Sequence, residues 1–405
     1  MADARGYVCA LAGRRDYYQL PVALAEGGIL DALVTDAYYG QIPGSIARLL
    51  PQPIVEKLGF RSDARIPGDR VECVWSVAFE SKLRRRLGCA DWKTFARLDG
   101  KLSLHAARQA RRRRSNLLLY HPYAWEAFTA RYDHAPKKVM FQFHPHPALE
   151  RRILSEDREK TLVHYSYEEE AGHDVSVKVK QRTWDCWRHA DLILCASAFT
   201  KISLLEAGAD AARCVVVPYG IDLPSCSEGL SAPKAFQALY VGSGTQRKGL
   251  HHLLLAWRRA TLPPESRLTV VCRFIDPGLE ELLHGTSGVE LLRGVSGGAL
   301  QQLFRRSSLL AMPSLVEGFG QVYLEALAQG CPVLGSPNTC LPDIGPSPAI
   351  FLNPVGAIDE LSVRLEKLAL GLPGRNDIRI EARACAERWP WAQFRTGVRA
   401  AVGAA

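Results

Sequence analysis

The most informative stretch of this sequence reads Pro313-Ser-Leu-Val-Glu317-Gly-Phe-Gly-Gln-Val-Tyr-Leu-Glu325-Ala-Leu-Ala-Gln-Gly330-Cys-Pro-Val333. It puts one carboxylate, Glu317, in a glycine-rich turn, and a second, Glu325, on a helix that the spacing of strong helix formers predicts over 322–328. Glycines let the backbone of such a turn approach a ligand closely. At a helix N-terminus the free N–H groups and the helix dipole both attract an anion. The stretch therefore predicts a site for a ligand with a phosphate at one end and hydroxyls at the other.

The same residues resemble the signature of the retaining glycosyltransferases of family 4 (glycosyl transferases group 1), which have the two-domain GT-B fold. In that family two glutamates separated by seven residues flank a nucleotide-sugar, and Glu317 and Glu325 stand at that separation. Pro-Ser, Glu-Gly-Phe-Gly, Glu-Ala and Gly-Cys-Pro-Val also fall at the family's spacing. The simpler alternative is an ordinary strand–turn–helix unit with two solvated glutamates, but the match extends over about twenty residues, well beyond a short chance motif.

Length and composition indicate a folded chain of two domains. The chain has 405 residues, 47% of them hydrophobic and 23% charged. It contains no apolar stretch of transmembrane length, and its first residues include too short an apolar run for a signal peptide. Its 11 cysteines show neither C-x-x-C pairs nor zinc spacing, so we expect buried, reduced thiols. These features predict a cytoplasmic protein.

The positive charge is concentrated in one part of the chain. Of the formal net charge of +9, the segment 51–160 holds 23 Lys and Arg against 13 Asp and Glu. The densest clusters are Lys82-Leu-Arg-Arg-Arg86 and Arg111-Arg-Arg-Arg114. They are either solvated helix faces or a surface for an anionic partner, such as acidic lipids at the inner face of the membrane or a lipid diphosphate acceptor. No recognition-helix or aromatic-interleaved basic pattern supports nucleic acid as a partner.

Apolar strands alternate with helical patterns along the chain, which predicts an α/β fold of parallel sheets. Together with the resemblance, this implies two Rossmann-like domains that face each other across a deep cleft. We predict an N-terminal domain over 1–224, a C-terminal domain over 234–385 and a C-terminal helix over 386–405 that crosses back, with a boundary in the Ser-, Pro- and Gly-rich segment 224–233. The predicted strands are 7–11, 32–35, 117–120, 139–143, 161–165, 192–196, 235–241, 267–272, 289–292, 309–312, 333–336 and 350–352.

Two other segments resemble the same family. The segment 190–222 is similar to the last strands of its N-terminal domain, although Tyr219 stands where Asn is usual. The tail from Glu387 to Trp391 is similar to the start of its crossing helix. The resemblance is dense from Ala190 onward and thin before Phe141.

The second domain opens with Gly242-Ser243-Gly244-Thr-Gln-Arg247-Lys248-Gly249 after an apolar strand. Backbone N–H groups and cations in such a turn suit a diphosphate. In the family an Arg and a Lys of this segment hold the donor phosphates, and Lys248 matches the Lys. Ser243 stands where the Arg is usual, and Arg247 is the candidate replacement. The alternative for each cation is an exposed basic side chain at a helix start.

Other positions bear on the donor and the acceptor. Gly294 and Val295 match a segment whose backbone contacts the base in relatives, which leaves UDP-, GDP- and ADP-sugars open. Arg273 stands near a Gly-x-Gly of the family and either approaches the nucleotide or lies on the surface. Gly13 begins a basic turn where relatives often have two glycines that admit the acceptor and the donor phosphates.

The N-terminal domain offers two histidines in Phe141-Gln-Phe-His144-Pro-His146-Pro147. Prolines stiffen this loop, which follows a predicted parallel strand where ligand sites commonly lie. In the family a His of this loop contacts the donor sugar, and His144 is the first candidate, with His146 second. The pair lacks further ligands at metal spacing. The segment 168–170 with His173 is either a polar helix start or an acceptor contact.

The resemblance implies a hexosyltransferase that retains the anomeric configuration, requires no cofactor or metal, and belongs to polysaccharide biosynthesis. The predicted catalytic residues are Glu317, His144 and Lys248, since the reaction needs stabilisation of a leaving diphosphate and of a developing positive charge on the sugar. The hydroxyl acceptor stays unknown, and the basic surplus favours a lipid-linked one. The remaining predicted donor-site residues are Glu325, Gly318, Phe319, Gly320, Arg247, Ser243, Gly242, Gly294, Val295 and Gly13.

Other classes of function compete with this prediction. A GT-B-like protein that binds a nucleotide-sugar without transferring it is favoured by Ser243 and the single Gly13, and disfavoured by Glu317 and Lys248. A nucleotide-sugar epimerase shares the fold but fits the glutamate motif less well. A nicotinamide dehydrogenase needs G-x-G-x-x-G after its first strand, which the turn after Gly13 does not supply.

Overall fold

The computed structural model describes residues 5–42, 59–88, 92–161, 181–224 and 231–403. All strand pairs in its two sheets are parallel. The first sheet, in the spatial order β3-β2-β1-β4-β5-β6-β7, consists of β1 (Tyr7–Leu11), β2 (Leu30–Thr35), β3 (Val71–Cys73), β4 (Asn116–Tyr120), β5 (Lys138–Gln142), β6 (Leu192–Cys195) and β7 (Cys214–Val216). The second, in the order β10-β9-β8-β11-β12-β13, consists of β8 (Gln237–Val241), β9 (Arg267–Val271), β10 (Val289–Leu292), β11 (Leu309–Met312), β12 (Val333–Gly335) and β13 (Ile350–Leu352).

Helices connect the parallel strands, as crossovers in such sheets require. We call the described part up to residue 224 the N-terminal lobe, and the part from residue 231 to residue 387 the C-terminal lobe. The helices of the N-terminal lobe are α1 (Gln19–Glu26), α2 (Trp75–Arg86), α3 (Trp92–Arg113), α4 (Trp125–Thr129), α5 (Pro147–Lys160) and α6 (Ala198–Glu206). Those that follow are α7 (Leu250–Arg259), α8 (Pro277–His284), α9 (Gly297–Arg306), α10 (Gln321–Ala328), α11 (Leu341–Ile344), α12 (Ile358–Gly371), α13 (Asn376–Glu387) and α14 (Trp391–Val402).

Three strands near the centres of the two sheets are buried along their whole length. Every residue of β1, β4 and β11 is buried, which is why these strands read as continuous apolar runs. In the register of the first sheet, Ala10 of β1 lies between Val34 of β2 and Leu119 of β4. Because neighbouring strands are parallel, their carboxyl ends meet at one edge of each sheet, where ligands bind in open α/β sheets.

The observed strands confirm the predicted parallel α/β fold. Two strands, β3 and β7, are absent from the predicted list. Each has only three residues and lies at an edge of the first sheet, where it pairs with a single neighbour, β2 or β6. The predicted strand at 161–165 falls beyond α5, and all of it except Thr161 lies outside the described residues, as does most of the boundary segment 224–233. The predicted domain limits therefore stay a prediction. Among the described cysteines all are free thiols, and all but the half-buried Cys73 are buried.

The last helix returns to the N-terminal lobe. On α14, Arg395 and Arg399 both pair with Glu26 of α1 at 2.9 Å. Just before it, Trp389 accepts a backbone hydrogen bond from Ile221 at 2.8 Å. The chain thus passes between the lobes twice. None of the described helices is both long enough and apolar enough to cross a lipid bilayer.

Candidate functional site

Glu317 lies in the turn between β11 and α10 and forms the centre of a charged cluster. Its carboxylate pairs with the ammonium of Lys248 and, at 3.2 Å, with Nη1 of Arg247. The hydroxyl of Ser314 lies 3.4 Å from the same carboxylate, and the backbone N–H of Glu317 donates to the carbonyl of Asn338. The residue is buried, with 5% of its surface exposed, so its orientation is fixed by these contacts.

The ionisation of Glu317 follows from these neighbours. Burial raises the pKa of this carboxyl, but the positive charges of Lys248 and Arg247 outweigh burial and lower the pKa to about 2. At neutral pH the site therefore combines one buried negative charge with two positive charges.

The residue after Glu317 lies directly against the N-terminal lobe. A Cβ at Gly318 would overlap the carbonyl oxygen of Phe143, which belongs to the loop between β5 and α5. The carbonyl of Gly318 accepts hydrogen bonds from the hydroxyls of Ser197, at 2.5 Å, and Thr200, at 3.0 Å. The two lobes thus meet backbone to backbone at the position of the glycine-rich turn, where only glycine fits.

His144 and Glu150 bring the N-terminal lobe to the Glu317 cluster. Nδ1 of His144 lies 3.6 Å from the carboxylate of Glu150, whose other oxygen lies 3.7 Å from Nε of Arg247. Burial lowers the pKa of His144, so the imidazole is neutral at pH 7 and offers a hydrogen bond rather than a charge. Glu150, on the first turn of α5, was not singled out from the sequence.

His146, the second candidate from the sequence, has a structural position. Its Nδ1 accepts from the backbone of Ala148 at the start of α5, and its Nε2 lies 2.9 Å from the carbonyl of Trp184. Its backbone N–H donates to the hydroxyl of Ser203. Both ring nitrogens are occupied, so His146 fixes the loop that carries His144.

Glu325 differs from Glu317 in lacking a charged partner. It lies on α10, half-buried, and burial alone raises its pKa. Across the part of the chain that the structure describes, its carboxylate forms neither a hydrogen bond nor an ion pair. The pKa of Tyr17 is raised mainly by burial and also by the nearby negative charge of Glu325. A carboxylate in this state favours a ligand that brings hydroxyl donors.

The turn after β1 has an uncommon backbone. Three consecutive residues other than glycine, Asp16, Tyr17 and Tyr18, have φ angles of 46°, 53° and 61°, in the left-handed region. The backbone N–H of Gly13 donates to Asp36 at 2.8 Å, and the guanidinium of Arg15 lies 4.5 Å from the ring centre of Phe143.

Tyr219 is the residue that holds this turn. Its hydroxyl donates to the half-buried Asp16 at 2.6 Å, and its ring contacts the rings of Phe319, Trp391 and Phe394. From the sequence Tyr219 was only a departure from the family pattern. The available signal was a bulky phenol after the last strand of a lobe. Its hydrogen-bond partner Asp16 lies 203 positions away in the sequence, so no local spacing rule could identify it.

Another carboxylate near this turn was missed. Asp99 on α3 is half-buried, and burial raises its pKa to about 7, against the opposing charges of Arg182 and Arg15. Because Asp99 lies inside an amphipathic helix, the sequence gives it no mark of function.

The other predicted residues lie apart from the Glu317 cluster or on the surface. Ser243 is exposed and its carbonyl accepts from the hydroxyl of Tyr240, so its side chain does not replace an arginine. Gly294, with φ of 68°, is exposed and Val295 is half-buried. Within the described residues, Gly242, Ser243, Gly294 and Val295 form no hydrogen bond or ion pair with the cluster, and neither does the exposed Arg273. The segment 168–173 lies outside the described residues.

A second polar cluster joins the lobes beside Arg247 and Lys248. Asp157 of α5 accepts hydrogen bonds from His251, at 3.1 Å, and His252, at 2.6 Å, both on α7. Gln246 donates to the same carboxylate at 2.8 Å. Asp157, His251 and His252 are the types of residue that bind metals, but ligands of one zinc ion lie about 3.3 Å apart in tetrahedral geometry. The shorter separations are those of hydrogen bonds.

Comparison with known proteins finds a similarity to one family within the C-terminal lobe. Residues 235–369 match the family model described as glycosyl transferases group 1. The chain is 26% identical over 185 residues to an MMP alpha-(1->4)-mannosyltransferase of Mycolicibacterium hassiacum, covering 44% of this chain and 45% of that protein. It is 28% identical over 234 residues to a sulfoquinovosyl transferase of Arabidopsis thaliana, covering 52% and 44%. The matched region spans less than half the length of these curated relatives.

Solved structures give the fold of the whole chain. A sucrose-phosphate synthase from Thermosynechococcus elongatus superposes over 96% of both chains with a TM-score of 0.67 at 15% identity. The Anabaena protein HepE in complex with UDP superposes over 98% of this chain and 100% of its own, with a TM-score of 0.59 at 15% identity. WaaG, a glycosyltransferase of lipopolysaccharide biosynthesis, gives 0.58 at 14% identity over 98% and 100%. The fold is GT-B, as predicted.

Proposed function

We propose that this protein is a glycosyltransferase that moves a hexose from a nucleotide-diphosphate sugar to a hydroxyl acceptor, with retention of the anomeric configuration. The observation that carries the proposal is the buried Glu317, paired with Lys248 and Arg247 where the two lobes meet. The match of residues 235–369 to glycosyl transferases group 1 supports it.

Each charge in the cluster has a use in this reaction. Lys248 and Arg247 supply the positive charge that a leaving nucleoside diphosphate needs. Burial raises the pKa of Glu317, but Lys248 and Arg247 lower it further, to about 2, so the carboxylate keeps its negative charge. It can therefore stabilise a developing positive charge on the sugar. A neutral His144 can donate a hydrogen bond to a sugar hydroxyl without opposing that charge.

The role of Glu325 is to bind the ribose hydroxyls of the donor. Its carboxylate is half-buried and lacks an ion pair within the described residues, and hydroxyl donors would satisfy it. HepE was solved in complex with UDP and with UDP-glucose, which makes a UDP-sugar the first donor to test here. Because side chains of the protein supply all the charges that the reaction needs, we propose that it proceeds without a metal ion.

The deciding experiment measures donor binding and nucleotide release. Purified protein is incubated with UDP-, GDP- and ADP-sugars, and its melting temperature and the released nucleotide are recorded. We expect one donor to raise the melting temperature and to release nucleotide slowly, with release falling by at least about 100-fold in Glu317→Gln. Glu360→Gln, an exposed glutamate on α12, is the matched control and should release nucleotide at the wild-type rate.

A protein that binds a nucleotide-sugar without transferring it is the second candidate. The exposed Ser243 at the usual arginine position is the observation that favours it. Donor binding without nucleotide release, with every hydroxyl acceptor tried, would support this candidate. Absence of binding by all three donors would contradict both.

A further inference from the structure

One helix of the N-terminal lobe turns large apolar side chains outward. On α2 and the residue after it, Trp75, Phe79, Leu83 and Leu87 recur every four positions and are 45%, 71%, 46% and 65% exposed. At about 100° per residue they form one continuous stripe about 120° wide. We call these four residues the α2 stripe. Single exposed apolar residues are common on protein surfaces, whereas a contiguous row of them indicates a binding surface.

The opposite face of α2 holds the helix on the lobe. Val77 is its buried residue, at 2% exposure. Glu80, which borders the stripe about 20° beyond Leu87, pairs with Arg84 at 3.1 Å and with Lys101 of α3 at 2.6 Å. The α2 stripe is therefore not needed for packing α2 against α3.

Cations are interleaved with the apolar residues rather than set apart from them. By the same helical geometry, Arg86 points between Trp75 and Phe79, Lys82 points about 20° outside Trp75, and Arg85 points about 80° outside it, away from the stripe. Lys82, Arg85 and Arg86 are exposed. The guanidinium of Arg85 lies 5.7 Å from the ring centre of Phe95, itself 40% exposed.

This combination identifies the class of partner. Protein interfaces are depleted in charge at their apolar centre, whereas here Arg86 lies within the α2 stripe and Lys82 lies at its edge. An anionic bilayer surface accepts both, since aromatic and aliphatic side chains enter the acyl boundary while Lys and Arg extend to the phosphates. We propose that the α2 stripe, with Lys82 and Arg86, docks this protein on an anionic lipid surface.

The docked orientation bears on the acceptor. The stripe begins at Trp75, two residues after the carboxyl end of β3, and the loops that hold Gly13 and His144 follow the carboxyl ends of β1 and β5 in the same parallel sheet. These loops therefore share one edge of the sheet. Docking would bring that edge toward the membrane, and a lipid-linked hydroxyl acceptor suits it. This last step rests on the proposed transfer reaction, whereas lipid docking does not.

The test measures lipid binding by the full chain without any donor. Protein is sedimented with vesicles of pure phosphatidylcholine and with vesicles of phosphatidylcholine mixed equally with phosphatidylglycerol. We expect binding to the anionic vesicles, weakened by salt, and at least about tenfold weaker binding by the double variant Phe79→Glu and Leu83→Glu. Lys82→Gln with Arg86→Gln should weaken it by about tenfold or more as well.

A matched control separates the stripe from general surface effects. Leu370 on α12 is 78% exposed and lies beside the exposed Lys367, so Leu370→Glu with Lys367→Gln changes the same residue types in the C-terminal lobe. This variant should bind anionic vesicles like the wild type. All positions are exposed, so the variants are expected to fold, which circular dichroism verifies.

Three results would overturn the docking proposal: no binding to anionic vesicles, equal loss in the α12 control, or a wild-type dimer that becomes monomeric in the Phe79→Glu and Leu83→Glu variant. The last would assign the stripe to a second copy of the chain. Nucleotide release into water needs no lipid, so failure of the proposed reaction and failure of docking give different results.

Discussion

Gly318→Ala would force the two lobes apart at the candidate site. The added methyl carbon would lie 2.7 Å from the carbonyl carbon of Phe143 and 2.8 Å from Cα of His144, and would overlap the Phe143 carbonyl oxygen. Ordinary contacts of a Cβ begin at 3.4 Å. All three atoms belong to the backbone of the opposing loop, so no change of rotamer can relieve the overlap.

The size of the effect follows from the required movement. The turn that carries Glu317 and the loop that carries His144 must separate by about 1.5 Å. A displacement of about 1 Å can already reduce a catalysed rate about 100-fold. The hydrogen bonds from Ser197 and Thr200 to the Gly318 carbonyl would lengthen by a similar amount. We expect a smaller effect on folding, about 1–3 kcal/mol, as is typical of overpacking. The backbone of Gly318 is not in the left-handed region, so strain adds nothing.

The assay is nucleotide release from the donor that stabilises the wild type, together with small-angle scattering of the protein alone. Gly371→Ala is the control, because outside its own helix no atom lies within 4 Å of a Cβ at that position. We expect Gly318→Ala to lose release and to show a larger radius of gyration, with Gly371→Ala unchanged. An unaltered release rate and radius in Gly318→Ala would refute the reasoning that this contact closes the site.

Three further predictions concern buried or half-buried polar groups. Asp157→Asn removes a carboxylate that accepts three hydrogen bonds from the C-terminal lobe, so the free energy of unfolding in urea should fall by about 2–3 kcal/mol. The control Asp359→Asn, at an exposed position, should lower it by less than about 0.5 kcal/mol. Asp99 has its pKa raised to about 7 by burial, so the wild type loses stability as pH rises from the unfolded pKa near 3.8 toward 7. Asp99→Asn should therefore gain in melting temperature at about pH 8 and not at about pH 4. Tyr219→Phe removes the Tyr219 hydroxyl from the half-buried Asp16 and should cost about 1–3 kcal/mol in urea unfolding, with the ring contacts kept.

Each of these has an outcome that contradicts it. Equal losses in Asp157→Asn and Asp359→Asn would mean that the Asp157 cluster does not hold the lobes together. A pH-independent effect of Asp99→Asn would place its titration outside the pH 4–8 range. Wild-type stability in Tyr219→Phe would show that Asp16 finds another donor.

The strands were predictable because burial on both faces leaves a plain mark in the sequence. Runs such as Tyr7–Leu11 and Leu309–Met312 contain only apolar residues, and their ends match the observed strands. The edge strand β3 escaped because a strand with one neighbour needs fewer apolar residues. The helix after the glycine-rich turn was predicted within one residue of its observed start at Gln321.

The candidate site was predictable only where a local motif carries it. Glu317 and Lys248 stand in motifs with their own spacing, and the structure brings them into contact from loops 69 positions apart. Glu150, Asp157 and Asp99 stand in ordinary amphipathic helices, so nothing local distinguishes them from solvated carboxylates. Their surroundings come from the other lobe or from distant elements, and tertiary packing alone creates them. Tyr219 was visible as a substitution, but its bond to Asp16 depends on a left-handed turn that no propensity predicts.

The return of α14 to the N-terminal lobe has a consequence for biosynthesis. A ribosome releases residues 231–387 before it releases Phe394 and Val398, the buried face of α14. The N-terminal lobe, although it is synthesised first, is therefore completed last, because its surface beside α1 stays exposed until α14 emerges from the ribosome. A nascent chain stalled anywhere in the C-terminal lobe would therefore carry a first sheet domain whose surface beside α1 is still uncovered.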